Sequence, residues 1–252
     1  MKKLYEKNEL GFALMWIGIY LVAMTIGDNV SEVLGLYKSV TAALVIALMV
    51  FVIIWLGKNG LLEKFGLGKA KFGPAAFLFF IPLIAIPSVN VWYGVTAHIA
   101  VPWELETPRE LTAAELALAV VSMIGVGFLE ELIFRGFLFK AIAKSSVKRA
   151  VIISAVTFGV GHIVNLFNGS QDLLLTVLQI CYAIALGFLF TIIFHRSGTL
   201  VPCIIAHQAV NSLSIFAVDR TPAQLIIISV FLIALSALYS VWIIFKTKPK
   251  NT

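Results

Sequence analysis

Charge is scarce in this chain: only 13% of its 252 residues are Asp, Glu, Lys or Arg, while 60% are hydrophobic and the mean hydropathy is +1.00. So few polar side chains cannot cover a water-soluble globule, which excludes that class. The chain reads instead as an integral membrane protein. Cysteine is nearly absent too. Cys181 and Cys203 fall on different apolar segments, at depths that differ by ~12 Å for a 1.5 Å rise per residue. Neither a disulfide nor a cysteine metal site is expected, and both read as small packing residues. No period of 20–50 residues repeats and no Gly/Ser linker divides the sequence, so a single membrane domain over 1–252 is expected. Lys2 and Lys3 precede an apolar run as in a signal peptide, but Glu6, Glu9 and the lack of an Ala-x-Ala-like site argue for an uncleaved first helix.

What the sequence has in quantity is long apolar runs. Eight segments approach the ~20 residues that a helix needs to cross the hydrocarbon core, at about 10–27, 39–57, 73–95, 112–139, 149–167, 172–194, 199–217 and 223–245. The predicted fold class is therefore all-α, a polytopic membrane protein of about eight helices. Thr112-Ala113-Ala114-Glu115 fits a capping box at the start of the fourth, and Pro74, Pro82 and Pro87 predict bends in the third. With both termini cytoplasmic, 15 of the 19 basic residues fall on the inner side; only Lys38, Arg109 and Arg220 fall outside, and Arg135 lies within a span. The net charge of +6 then reflects topology and attraction to anionic lipids, not nucleic-acid binding.

Against this background, Gly127-Phe128-Leu129-Glu130-Glu131-Leu132-Ile133-Phe134-Arg135-Gly136 places three charges inside a span. A charge at the bilayer centre costs ~2.5–3.5 kcal/mol even on lenient scales, so each needs a partner or a purpose. Arg135 lies four residues beyond Glu131 and can pair with it along one helix face, which leaves Glu130, about 100° away, free to face something else. His162 closes Phe158-Gly159-Val160-Gly161-His162, and His207 and Asn211 share a helix face through i,i+4 spacing. Counted from the inner basic residues, Glu130 lies ~15 Å deep, His162 ~20 Å, His207 ~16 Å and Asn211 ~22 Å. Three helices of alternating direction thus deliver polar groups to one layer, as a site in a bundle core requires. His98 and His195 fall near the interfaces and are assigned no site role.

A carboxylate beside a neutral imidazole can deprotonate a water, and a second imidazole with a carboxamide N–H can stabilise the oxyanion formed when that water attacks a carbonyl. This is the chemistry of peptide hydrolysis. No Ser-His-Asp or Cys-His set occurs at matching depth, which disfavours an acyl-enzyme. Glu130, His162 and His207 could alternatively form a two-histidine, one-carboxylate zinc site. HExxH is absent, and the residues alone leave the metal-free and zinc versions open.

The ordered set Glu130-Glu131-x-x-x-Arg135, Phe158-x-x-x-His162 and His207-x-x-x-Asn211 resembles the CAAX protease and bacteriocin-processing family, also called Abi or CPBP, over about residues 112–217. The resemblance implies an intramembrane endopeptidase. Its eukaryotic relatives remove the last three residues of prenylated CAAX proteins, and its bacterial relatives act in maturation of, or immunity to, small secreted peptides. By position it implies Glu130 and His162 as the water-activating pair, His207 and Asn211 as the oxyanion side, and Glu131 and Arg135 in support. Family usage includes both metalloprotease and metal-free glutamate mechanisms, with no cofactor or zinc accordingly. The implied partners are a membrane-associated or amphipathic peptide substrate and anionic lipids. A non-proteolytic scaffold or immunity protein is the alternative, although all four candidate residues are present. A secondary transporter would show paired broken helices in two repeated halves, and no such halves are found. The expected location is a bacterial plasma membrane, with substrate access from the cytoplasmic half.

Overall fold

In the computed structural model, the residues described are 1–68, 78–81, 86, 111–215 and 221–248. They form α1 (Lys2–Lys7), α2 (Glu9–Val33), α3 (Ser39–Lys58), α4 (Ala113–Glu131), a π-helical stretch (Leu132–Phe139), α5 (Lys140–Ala143), α6 (Val147–Gly161), α7 (Val164–Phe167), α8 (Leu173–Ser197), α9 (Val201–Ser214) and α10 (Pro222–Lys246). Among the described residues there is no strand, so the protein is all-α. Among the described residues, six helices are long and apolar enough to cross a membrane: 9–33, 39–58, 113–143, 147–167, 173–197 and 222–246. It is a multi-pass membrane protein. The segment expected at 73–95 lies largely outside the described residues, as do Pro74, Pro82, Pro87 and His98. The segment expected at 199–217 forms the 14-residue α9, because the chain turns through Gly198 at φ 71 and restarts with Pro202 in the first helical turn.

Local signals fix the helix starts. Thr112 accepts from the Glu115 backbone N–H while Glu115 reaches back, the expected capping box, and Thr221 with Gln224 repeats it on α10. Ser146 and Asp172 cap α6 and α8 through single side-chain oxygens. Lipid offers no hydrophobic gain for helix association, so close backbone approach matters more here than in water. Gly159 provides one such approach: a Cβ there would stand 2.7 Å from the Ile184 nitrogen, so glycine lets α6 lie directly on α8. Gly127 does the same between α4 and α9, where a Cβ would lie 3.2 Å from the Gln208 nitrogen. Ser229, Ser236 and Ser240 are buried along one side of α10, which packs on α8.

One end of the bundle is basic. Lys64 and Lys144 both reach Glu9 Oε1, at 3.0 and 2.9 Å, which ties the loop after α3 and the end of α5 to the start of α2. The same loop presents the Gly66 carbonyl to the Leu200 N–H at 2.9 Å, bracing the start of α9; Gly66 itself needs φ 76, a conformation that favours glycine. Above this end lies a packed aromatic layer. Phe137 is its centre, with ring centroids 5.0 Å from Phe12, 4.8 Å from Phe65 and 6.1 Å from Trp16. Phe12 in turn stacks on Trp55 at 5.3 Å.

Candidate active site

The sequence predicts one long fourth helix. The structure instead turns α-helical Glu130 and Glu131 directly into the π-helical stretch Leu132–Phe139, all eight residues of which are buried. A π-helical turn is rare and concentrates at functional sites, where the wider turn re-aims side chains. Here it begins at the paired carboxylates.

Glu131 is fully buried, and its Oε1 accepts from Arg135 Nη1 at 3.0 Å, the i,i+4 pair read from the sequence. That oxygen has a second partner that the sequence did not disclose, His207 Nδ1 at 2.8 Å. Glu130 is 9% exposed, and its Oε2 lies 3.2 Å from His207 Nε2. The His207 ring therefore stands between two carboxylates. The ring can donate to both carboxylates only as the imidazolium, since a neutral imidazole donates from one nitrogen.

Tyr20 completes the carboxylate's surroundings. Its hydroxyl donates to Glu130 Oε1 at 2.6 Å across 110 residues of sequence, from the middle of α2. Sequence reasoning missed it. The same depth ruler that aligned the other residues puts Tyr20, thirteen residues beyond Lys7, ~20 Å from the basic end and so in the same layer.

Phe158 organises the cationic side. The Arg135 guanidinium carbon sits 4.1 Å from its ring centroid, and the ring meets His162 and His207 edge to face at 5.4 and 5.5 Å. Arg135 is fully buried and its Nε and Nη2 lack hydrogen-bond partners, so contact with the aromatic faces of Phe158 and Phe190 stands in for part of its solvation. His162 sits at the C-terminal end of α6, set there by the Gly159 contact with α8. His162, His207 and Asn211 open onto one cavity of about 270 Å³. Its walls continue along Leu175, Gln179 and Tyr182 of α8 and along Leu225 and Ser229 of α10, towards the end of the bundle opposite the basic residues.

The zinc alternative does not fit this arrangement. Among the described residues no group of three His, Cys, Asp or Glu side chains could hold a metal ion, and both His207 nitrogens already face carboxylates. Cys181 is exposed, Cys203 is buried, and both are free thiols. His195 packs against Phe139 at the basic end, away from the site.

Fold and centre together define a helical membrane protein with a carboxylate and imidazole cluster in its core. Residues 112–213 match the family described as type II CAAX prenyl endopeptidase, Rce1-like, which is the CAAX protease family that the motifs resemble. The matched stretch starts at the capping Thr112 and contains Glu130, Glu131, Arg135, His162, His207 and Asn211, whereas Tyr20 lies outside it. The match supports an intramembrane CAAX-type endopeptidase in general. A search of curated proteins gave no match, and neither did a search of solved structures.

Proposed function

We propose that the protein hydrolyses a peptide bond of a membrane-associated or amphipathic peptide by direct attack of water. The observation that carries this is the contact of Glu130 Oε2 with His207 Nε2 at 3.2 Å, because His207 in turn lines a cavity together with His162 and Asn211. Glu130 takes a proton from the attacking water as the new C–O bond forms, with His162 holding that water. The carbonyl electrons move onto oxygen, where His207 Nε2–H and the Asn211 amide receive the charge. On collapse the C–N bond breaks and Glu130 returns the proton to the departing amine. Glu131 fixes the Nδ1 side of His207, so that Nε2 is the nitrogen aimed at the reaction. Arg135 and Phe158 hold Glu131 and the ring in place.

The test is to incubate the purified protein with a panel of lipidated and amphipathic peptides, with and without a chelator, and to identify the products by mass spectrometry. Cleavage that persists with chelator and disappears in Glu130→Gln is expected. Cleavage lost on chelation and restored by zinc would overturn the direct-water mechanism.

A further inference from the structure

Hydroxyl side chains within helices commonly turn back on their own backbone and donate to the carbonyl one turn earlier. Thr191 on α8 does so to the Gly187 carbonyl at 2.7 Å, and Ser240 on α10 does so to the Ser236 carbonyl at 2.7 Å. Ser154 on α6 does not. It is fully buried, and its hydroxyl crosses between helices to donate to the Phe134 carbonyl at 2.9 Å. A hydroxyl has one proton to give, and this bond uses it. Phe134 lies inside the π-helical stretch, and its carbonyl shares one rigid peptide plane with the Arg135 nitrogen. Ser154 therefore holds the plane from which the Arg135 side chain departs.

The contacts beyond that plane lead to the candidate reacting groups. Ser154, Phe158 and His162 recur at four-residue spacing and so share one face of α6. The Phe158 ring meets the Phe134 ring edge to face at 5.4 Å, and its centroid lies 4.1 Å from the Arg135 guanidinium carbon. Arg135 Nη1 donates to Glu131 Oε1 at 3.0 Å, and the same oxygen lies 2.8 Å from His207 Nδ1. His207 Nε2 in turn lies 3.2 Å from Glu130 Oε2. We propose that Ser154 is a positioning residue for the hydrolytic centre. By fixing the peptide plane between Phe134 and Arg135 against α6, its hydroxyl sets where Arg135 holds Glu131, and hence how His207 faces Glu130. A serine present only because small residues let membrane helices approach would work equally well as alanine. Alanine keeps the small size and loses only the hydrogen-bond donor, so the two roles are separable.

The proposal rests on the hydrolytic reading of the site, and one readout of its test does not need cleavage. The parent chain, Ser154→Ala and Ser154→Thr are purified, and kcat and KM are measured on a peptide that the parent cleaves. Misplacement of a catalytic group by a change outside the chemistry is costly, so Ser154→Ala should lower kcat by ~10–100-fold with KM unchanged. Ser154→Thr keeps the donor and should keep the parental kcat. Isotope-labelled histidine gives four imidazoles to resolve by nitrogen NMR, and the resonances lost in His207→Gln identify His207. Those resonances should move in Ser154→Ala and return in Ser154→Thr. Unmoved His207 resonances or an unchanged kcat in Ser154→Ala would overturn the proposal. Equal losses in Ser154→Ala and Ser154→Thr would also overturn it, since the hydroxyl would not be the cause. If Ser154→Ala does not fold, Ser154→Cys, close in size and only a weak donor, takes its place with the same expectations. A parent that cleaves no peptide would overturn the hydrolytic reading instead, and the His207 resonances alone would then decide the positioning role.

Discussion

At the scale of single residues, the two adjacent glutamates have different work and should fail differently. Glu130→Gln keeps the shape of the carboxylate but cannot accept the proton of water, so hydrolysis should fall by ~10²–10⁴-fold while the protein still inserts and folds. Glu131→Gln or Arg135→Ala breaks one side of a fully buried ion pair, which costs roughly 3–5 kcal/mol, so melting temperature should fall along with activity. The double change Glu131→Gln with Arg135→Gln should recover stability better than either single change, because it leaves no unpaired charge. Melting curves in detergent beside cleavage rates for the four variants check this, and a stable Glu131→Gln with an unfolded Glu130→Gln would mean the roles are reversed. In the proposed reaction Tyr20 would act through Glu130, as a positioning residue. Its hydroxyl donates to Oε1 at 2.6 Å, which leaves Oε2 as the oxygen turned to His207. A hydrogen bond to a charged group contributes ~1.5–3 kcal/mol, so Tyr20→Phe should lower kcat by ~10–100-fold with KM unchanged. A mere packing role predicts unchanged kcat per folded molecule.

At the scale of helices, legibility tracks sequence separation. The Glu131–Arg135 pair and the shared face of His207 and Asn211 are i,i+4 relations, so the spacing alone discloses them. The Tyr20–Glu130 and Glu131–His207 contacts span 110 and 76 residues, and they depend on which helices pack together. A tyrosine in an apolar span also carries little signal by itself, since aromatic residues are common in membrane helices. The π-helical turn was not legible either, because apart from Gly136 its residues are ordinary in membrane helices and nothing in their spacing marks a wider turn. Glycine was legible only as small; the structure separates Gly159, against the α8 backbone, from Gly161, where a Cβ would meet nothing within 4 Å. Gly159→Ala should therefore push α6 off α8 and lower stability by ~1–3 kcal/mol, the usual range for overpacking. Gly161→Ala should be neutral or gain ~0.4–1 kcal/mol by restricting the unfolded chain. Thermal melts of the two variants decide it, and equal losses would mean that α6 is not held by that contact.

At the scale of the whole molecule, the matched stretch 112–213 contains the four residues assigned to water activation and oxyanion binding but not everything that serves them. Helix α2 supplies Tyr20 to Glu130, and it supplies Phe12 and Trp16 to the aromatic layer under the π-helical stretch. This dependence can be tested by cutting the chain at the turn between α2 and α3, where residues 32–36 are exposed. Membrane helices can insert independently and associate afterwards through packing, so two coexpressed pieces, 1–35 and 36–252, have a route to reassembly. Residues 36–252 alone should be inserted yet inactive, and coexpression with 1–35 should restore cleavage. A 1–35 piece carrying Tyr20→Phe should still copurify with the larger piece, because Phe12 and Trp16 are unchanged, but should restore kcat ~10–100-fold less well. Cleavage by 36–252 alone at the parental rate would show that α2 lies outside the catalytic unit. Equal rescue by both 1–35 pieces would leave α2 a packing role and remove Tyr20 from the site.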